Sequence, residues 1–246
     1  MIQGYFDGVG KISTQRDDSI KYHVDSLKNL TVVMDHFDKY PLLTLKRANY
    51  ELFKRVIDLM NRQEHLTLDG LVKVVSLRGG MNTGLSEKLK AAFPAAVPVE
   101  RPLVTDQEIK DPYWLAGFTS GEGSFFLQIS TSPNRVGFRV KLRYSITQHS
   151  LDAKLITSFQ EYLGCGGVYI HSENAVVFVV TRFSDIHEKI IPFFSKYQIQ
   201  GVKALDFVDF CKAAEILKSK AHLTSGGLEQ IRKLKAGMNR GRKMST

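Results

Sequence analysis

Cysteine is nearly absent. Cys165 and Cys211 are the only two in 246 residues, too few for a disulfide framework and without the spacing of a zinc site, so two packed thiols in a reducing compartment are expected. Long apolar runs are absent too. The longest, Ala175 to Val180, is far too short to cross a bilayer, and the N-terminal residues show no charged region followed by an apolar one. A soluble chain without these sorting signals is expected. Acidic residues are in deficit: 25 Asp and Glu stand against 34 Lys and Arg, a net charge of +9. Such a field favours polyanions (nucleic acid, an acidic membrane surface, a ribonucleoprotein) without choosing among them. With 43% hydrophobic residues the chain can still bury a core, in one large domain or two small ones.

What the sequence does have is concentrated in DPYWLAGFTSGEGSFFLQIS, Asp111 to Ser130. Trp114, Leu115 and Phe118 recur at helical spacing after Asp111-Pro112, while Ala116, Gly117, Ser120 and Gly121 leave one helix face nearly bare, so that another backbone can come close. Glu122 falls at the C-terminal end of this helix, where the dipole is already negative. A divalent cation resolves that conflict, because backbone carbonyls left unpaired at a helix end and the Glu122 carboxylate are the hard oxygen ligands that suit Mg²⁺. A solvated Glu122 on a buried small-residue helix is the competing reading, and this stretch alone does not separate the two.

WLAGFTSGEGSFF resembles the motif of the LAGLIDADG homing endonucleases, with Leu115, Ala116, Gly117, Gly121, Glu122 and Gly123 at matching positions. KYPLLTLK, EHLTLDGL, GLSEKLKAAFP, SITQH, YLGCG, DIHEKIIPFF and HLTSGGL are similar to segments of the single-chain, two-repeat branch found in fungal mitochondrial introns. The resemblance covers essentially the whole chain.

The chain repeats internally. HLT recurs at His65 and His222, a shift of 222 − 65 = 157, and the same shift matches Phe37, Lys39, Tyr40, Lys46, Phe53, Gly70, Leu71, Leu77, Gly80, Met81, Asn82 and Gly84 to identical residues. It also carries Gln3, Tyr5 and Gly10 onto Gln160, Tyr162 and Gly167. The expected organisation is a first repeat over 1–84 that lacks the counterpart of 111 to about 157, a proline-containing extended linker over 85–110, and a complete second repeat over 111–246. Helices are expected over 27–40, 48–63, 69–76 and 151–163, and strands over 124–130, 138–146, 168–170 and 176–180, with three helices after the last strand.

Two strand faces are basic. In the hairpin near the N-terminus Ile12, Ile20, Tyr22 and Val24 alternate with Lys11, Ser13, Lys21 and His23. In Phe138 to Thr147, Arg139, Lys141, Arg143, Ser145 and Thr147 share the face opposite Val140, Leu142, Tyr144 and Ile146. Like charges crowd on a merely solvated sheet, so a face that tracks phosphates and reads bases is preferred. A β-ribbon fits the major groove, and Arg139, Lys141, Arg143, Ser145, Ser124, Gln128 and Ser130 supply hydrogen-bonding chemistry for base edges.

The resemblance implies the rest. It implies an α+β fold built from duplicated αββαββα units whose saddle-shaped antiparallel sheet lies along double-stranded DNA. It implies metal-dependent phosphodiester hydrolysis at an intron-insertion site, with Glu122 and Gly121 as Mg²⁺ ligands, and Lys203, Lys46 and Gln148 holding water and phosphate. A mitochondrial location and a monomer follow from the same source, with self-association through an uncovered motif face as a further expectation. No residue matches the family's first catalytic acid, so the expectation is that this chain alone makes no efficient double-strand break. The alternatives are an RNA maturase that assists intron splicing and a DNA-binding remnant without catalysis.

Overall fold

The computed structural model describes residues 2–16, 19–82 and 84–242 and divides into two units, Met1–Asp106 and Gln107–Thr246. Met1, Asp17, Asp18, Thr83 and the last four residues of the expected repeats lie outside the described residues. No described helix is long and apolar enough to cross a membrane.

The first unit opens with a short helix, α1 (Ile2–Tyr5), and an antiparallel hairpin, β1 (Lys11–Thr14) with β2 (Ile20–His23). Lys11 pairs with His23 and Ser13 with Lys21, which gathers the polar residues on one face as the alternation implies. Three helices follow: α2 (Leu27–Lys39), α3 (Lys46–Asn61) and α4 (Leu68–Gly79). Side-chain oxygens cap two of them, Ser26 accepting from the Asn29 N–H and Thr67 from the Gly70 N–H. Leu52 and Leu59 of α3 meet Leu77 of α4 in a small core, joined by Val56, Val74, Met81 and Val99.

The segment 85–110 departs from a simple extended linker. Ser86 caps a further helix, α5 (Glu87–Ala92). Val99 packs into the first unit's core and its N–H donates to the Ser76 carbonyl. Gln107 and Ile109 are buried as well. Such sparse apolar residues carry no period, so their burial was invisible in the sequence.

The second unit is an αββαββα arrangement. Helix α6 (Pro112–Glu122) has Pro112 in its first turn, and the Asp111 carboxylate accepts from the Tyr113 N–H. It runs directly into β3 (Gly123–Thr131), followed by β4 (Phe138–His149), α7 (Ala153–Leu163), β5 (Gly167–Ser172) and β6 (Ala175–Val180). The four strands form one antiparallel sheet in the order β3, β4, β6, β5, so the fold is α+β. Next come α8 (Phe183–Asp185), a π turn over Ile186–Ile190, and α9 (Ile191–Lys196). Pro192 offers no N–H and crowds the carbonyl four residues back, and the π turn just before it widens the helix. Helices α10 (Lys203–Lys218) and α11 (Ser225–Ala236) complete the unit.

Its core is aromatic. Phe125 is fully buried, with ring centroids 5.2 Å from Tyr144, Phe207 and Phe210 and 5.7 Å from Phe194. Burying one such ring is worth about 1.5–3 kcal/mol. The hydroxyl of Tyr144 lies 2.8 Å from Thr119 Oγ1, so the one polar atom of this buried ring is satisfied by α6.

The repeat is visible in the backbone. Shifting α3 and α4 by 157 gives the bounds of α10 and α11, and Gln63 and Lys220, one shift apart, both adopt the left-handed conformation. Thr224 caps the Gly227 N–H as Thr67 caps that of Gly70. The hairpins depart by one residue. Gly10 has φ +82° beneath the Tyr22 ring, whereas Gly166, not Gly167, has φ +82° beneath Phe178. Ile12 pairs with Tyr22 and Val168 with Phe178, so the strands follow a shift of 156.

Candidate active site and nucleic-acid face

Three features meet at the end of α6. Glu122 is its last residue and is exposed, and the Gly123 N–H closes the helix on the Thr119 carbonyl. Lys203, the first residue of α10, reaches the preceding carbonyl, with Nζ 2.8 Å from Gly121 O. A second tie lies beside it: the Gln200 N–H donates to Ser120 Oγ at 2.9 Å, and that hydroxyl donates to the Ala116 carbonyl at 2.8 Å. Together they hold the N-terminal end of α10 against the C-terminal end of α6. Burial lowers the Lys203 pKa below the usual lysine value, with the charges of Glu122 and Asp206 pulling the other way. Lys203 thus places a positive charge at the helix end where the dipole and Glu122 are both negative.

The bare face of α6 stays open. A Cβ added at Gly117 or Gly121 would meet nothing within 4 Å, and both glycines are exposed. Gly123 is different, because a Cβ there would press on Thr119, so only glycine lets the chain leave the helix and enter β3 directly.

Gly121 O and the Glu122 carboxylate are consecutive hard oxygen donors at an exposed helix end. No group of three or more His, Cys, Asp or Glu with metal-holding geometry occurs among the described residues. One carboxylate and one carbonyl still fit Mg²⁺, which keeps several waters and is commonly held by one or two carboxylates together with phosphate oxygens of a substrate.

Gln148 lies on β4, two residues past Ile146, the partner of Gly123, and is half-buried. Lys46 is exposed at the start of α3, and its ammonium makes no hydrogen bond or ion pair among the described residues. It belongs to the first unit, whereas Gly121, Glu122 and Lys203 belong to the second.

The polar sheet face is assembled by register. Ser130 pairs with Arg139, Gln128 with Lys141, Phe126 with Arg143 and Ser124 with Ser145. Gln128, Ser130, Arg139 and Lys141 are exposed and Ser124 is half-buried. Two residues depart from the outward reading. Ser145 is buried at 9% exposure, and Arg143 is half-buried with its Nε out of contact with solvent and without a hydrogen-bond partner. Ser145 lies where β4 is flanked by β3 on one side and β6 on the other, and Arg143 lies just before that stretch. Phe126 stands among these polar residues, with Lys235 Nζ 5.4 Å from its ring centre. On the N-terminal hairpin Lys11 and Lys21 are exposed and Ser13 half-buried.

Sequence reasoning missed the clamp on α10. The buried Asp206 carboxylate accepts from the Asn239 N–H at 3.1 Å and from Arg242 Nε at 3.0 Å, and Asn239 Nδ2 donates to the Phe125 carbonyl on the edge of β3. The first unit has the same clamp with an amide: the Asn82 N–H donates to Asn49 Oδ1 at 3.2 Å. The match of Asn82 with Asn239 was the only visible signal.

Comparison with known proteins accords with this geometry. The family model described as LAGLIDADG endonuclease matches residues 1–57 and 115–214. Two probable intron-encoded endonucleases of Neurospora crassa, numbered 3 and 2, are each 38% identical, over 94% and 96% of this chain and 44% and 54% of their own lengths. The chain therefore spans about half the length of these curated relatives. An uncharacterized protein in ND4 intron 1 of Podospora anserina is 46% identical over 27% of this chain and 14% of its own length. The crystal structure of the homing endonuclease I-SmaMI bound to cleaved DNA superposes with a TM-score of 0.96 at 47% identity, over 98% of this chain and 82% of that one. I-SmaMI bound to uncleaved DNA in the presence of calcium ions gives 0.94 at 47%, over 97% and 82%. With well over half of its residues matched by the family model and the fold shared throughout, this chain belongs to the LAGLIDADG endonuclease family.

Proposed function

We propose that the chain is a site-specific, metal-dependent DNA endonuclease that hydrolyses phosphodiesters at an intron-insertion site, and that it acts in the mitochondrion, as expected for a protein with relatives encoded in mitochondrial introns. The observation that carries this reading is the junction of α6 with β3. An exposed carboxylate, a helix-end carbonyl and the lysine that donates to it meet where a strand with a polar, basic face begins. Duplex DNA lying along Gln128, Ser130, Arg139 and Lys141 brings a phosphate toward Glu122, which begins the turn into the same strand.

The chemistry divides among the residues. Glu122 and the Gly121 carbonyl hold Mg²⁺, which when bound supplies charge for activating water and for stabilising the leaving oxygen. Lys203, fixed 2.8 Å from Gly121 O, orients water or a phosphate oxygen beside the carboxylate. Gln148 and, in the first unit, Lys46 are assigned the same positioning role. Arg143 and Ser145, being less accessible, brace the sheet and contact DNA less than their neighbours do.

The test is cleavage, in Mg²⁺, of a duplex selected from a random library by binding to this protein. The parent chain should cut the selected duplex at a defined position, and Glu122→Gln should bind it with unchanged affinity and leave it intact. Equal cutting by parent and variant would remove Glu122 from the mechanism. Retained promotion of group I intron splicing by a chain that cuts no duplex would favour the maturase reading.

A further inference from the structure

Phe126 interrupts the polar face of the sheet. Side chains alternate along β3, so Ser124, Phe126, Gln128 and Ser130 share the face on which β4 sets Ser145, Arg143, Lys141 and Arg139 opposite them. Phe126 is 39% exposed, whereas its neighbours Phe125 and Leu127, on the apolar face, are at 0% and 1%. The core does not account for it. A single exposed ring is ordinary on any protein. This one stands among cations, with Lys235 Nζ of α11 5.4 Å from its centre and Arg143 as its cross-strand partner. Toward Glu122 the same face turns neutral, since Ser124 pairs with Ser145, Ser145 with Val179 and Thr147 with Val177. In a groove lined with base edges, a ring that neither donates nor accepts a hydrogen bond leaves the polar atoms of guanine, adenine or cytosine unpaired. Thymine is the exception, because its C5-methyl group stands in the major groove.

We propose that Phe126 is a specificity-determining residue that reads a thymine through its C5-methyl group, in the part of the target near the scissile phosphate. The inference rests on the endonuclease reading above and adds the base that one position takes. Phe126 follows Glu122 by four residues, on the strand that begins at Gly123. At about 3.3 Å per strand residue and about 3.4 Å per base pair, a ribbon lying along the groove sets this thymine roughly three to four base pairs from the cut. Gln128 with Lys141, and beyond them Ser130 with Arg139, face positions farther out, where their hydrogen bonds suit purines. Lys235 and Arg143 hold the phosphates or base edges beside the ring and leave the methyl contact to Phe126.

The experiment takes the duplex selected by the full chain and replaces each thymine in turn by uracil, which lacks the methyl and keeps every hydrogen-bonding group. Binding is measured without divalent metal, so that nothing is cut. At one inner position uracil should bind about fourfold more weakly, the scale of one methyl group left in water. That penalty should vanish in Phe126→Ala and persist in part in Phe126→Leu, while the other thymines respond alike in all three proteins. Melting curves check that the variants fold, and the parent's own comparison of thymine with uracil stands even where a variant folds poorly. Two results would overturn the proposal alone: uracil tolerated at every inner position by the parent, or an undiminished penalty in Phe126→Ala. Failure of the endonuclease reading looks different, because no defined duplex is then selected, and both ideas fall together.

Discussion

Lys203 Nζ donates to the Gly121 carbonyl at 2.8 Å, joining the first residue of α10 to the last turn of α6 across 82 positions of sequence. The two helix ends have opposite polarity: α6 ends on its negative, carbonyl end and α10 starts at its positive, N–H end. A carboxylate at the C-terminal end of α6 is therefore tolerable before any metal arrives, since a helix start and an ammonium already face it.

From this follows the effect of removing the lysine. Lys203→Met should slow cleavage of a bound duplex roughly 100-fold or more, the scale for loss of a positioned polar group. Its cost in stability should be only about 1 kcal/mol, one hydrogen bond to a carbonyl that water can also reach. Single-turnover rates alongside urea unfolding measure both. A stability loss large enough to explain the rate loss would make Lys203 a structural residue.

DNA affinity should divide along the sheet as exposure does. Replacing Arg139 and Lys141 by alanine should reduce the slope of log affinity against log salt by about 2, since each released counterion contributes nearly one. Ser145→Ala should leave the slope unchanged, because that side chain is buried beneath the polar face. Binding isotherms at several salt concentrations decide this, and an unchanged slope for the double variant would remove those residues from the interface.

Much of this was legible in the sequence because the repeat is ungapped over its helices. The bounds of α3 and α4, once shifted, are those of α10 and α11. The hairpin was misregistered by one residue because identity pairs Gly10 with Gly167, whereas the structure places its positive-φ glycine by the cross-strand aromatic, Tyr22 or Phe178. Asp206 reads in sequence as one more acid on a helix, and only the returning Asn239 and Arg242 explain its burial. Val99 and α5 were lost among prolines, where no periodicity survives. Lys203 was picked out by the repeat and by family resemblance, but its partner carbonyl requires the fold.

Acid should loosen the first unit through His36. Burial holds its imidazole pKa below the ordinary 6.5, among the rings of Tyr5, Phe6 and Phe37. The unfolded chain then binds a proton that the folded unit rejects, so stability is complete above about pH 6.5 and declines as pH falls toward the folded value. His36→Phe installs the residue found at the equivalent Phe193 and should flatten that decline. Urea midpoints of the two proteins on either side of this window test it, and parallel curves would rule it out.

Two glycines should prove equally intolerant. A Cβ on Gly70 would run into the Glu64 carbonyl, and one on Gly227 into the Ala221 carbonyl, because each 3₁₀ turn folds back onto the helix that follows it. Alanine at either site should cost about 1–3 kcal/mol, as backbone must shift to relieve the overlap. Gly117→Ala has open space around it and should gain slightly from better helix propensity. Thermal unfolding of the three variants orders them, and a tolerated Gly227→Ala would contradict the tight turn.

The pattern of cutting follows from the number of acids. Hydrolysis at each strand requires its own carboxylate-held metal and attacking water, and this sequence carries one motif acid, Glu122, beside one tethered lysine, Lys203. A single copy of residues 1–246 bound to its duplex should therefore cut one strand and release a nicked circle from a supercoiled plasmid. Linear product should appear late and depend on protein concentration, because a second Glu122 must come from a second copy. Glu122→Gln should abolish both products. Gel separation of nicked and linear plasmid over time, at two protein concentrations, reads all of these outcomes. Linear product forming as fast as nicked product at low concentration would show that one chain cuts both strands, and that the acid for the other strand lies somewhere other than in the motif.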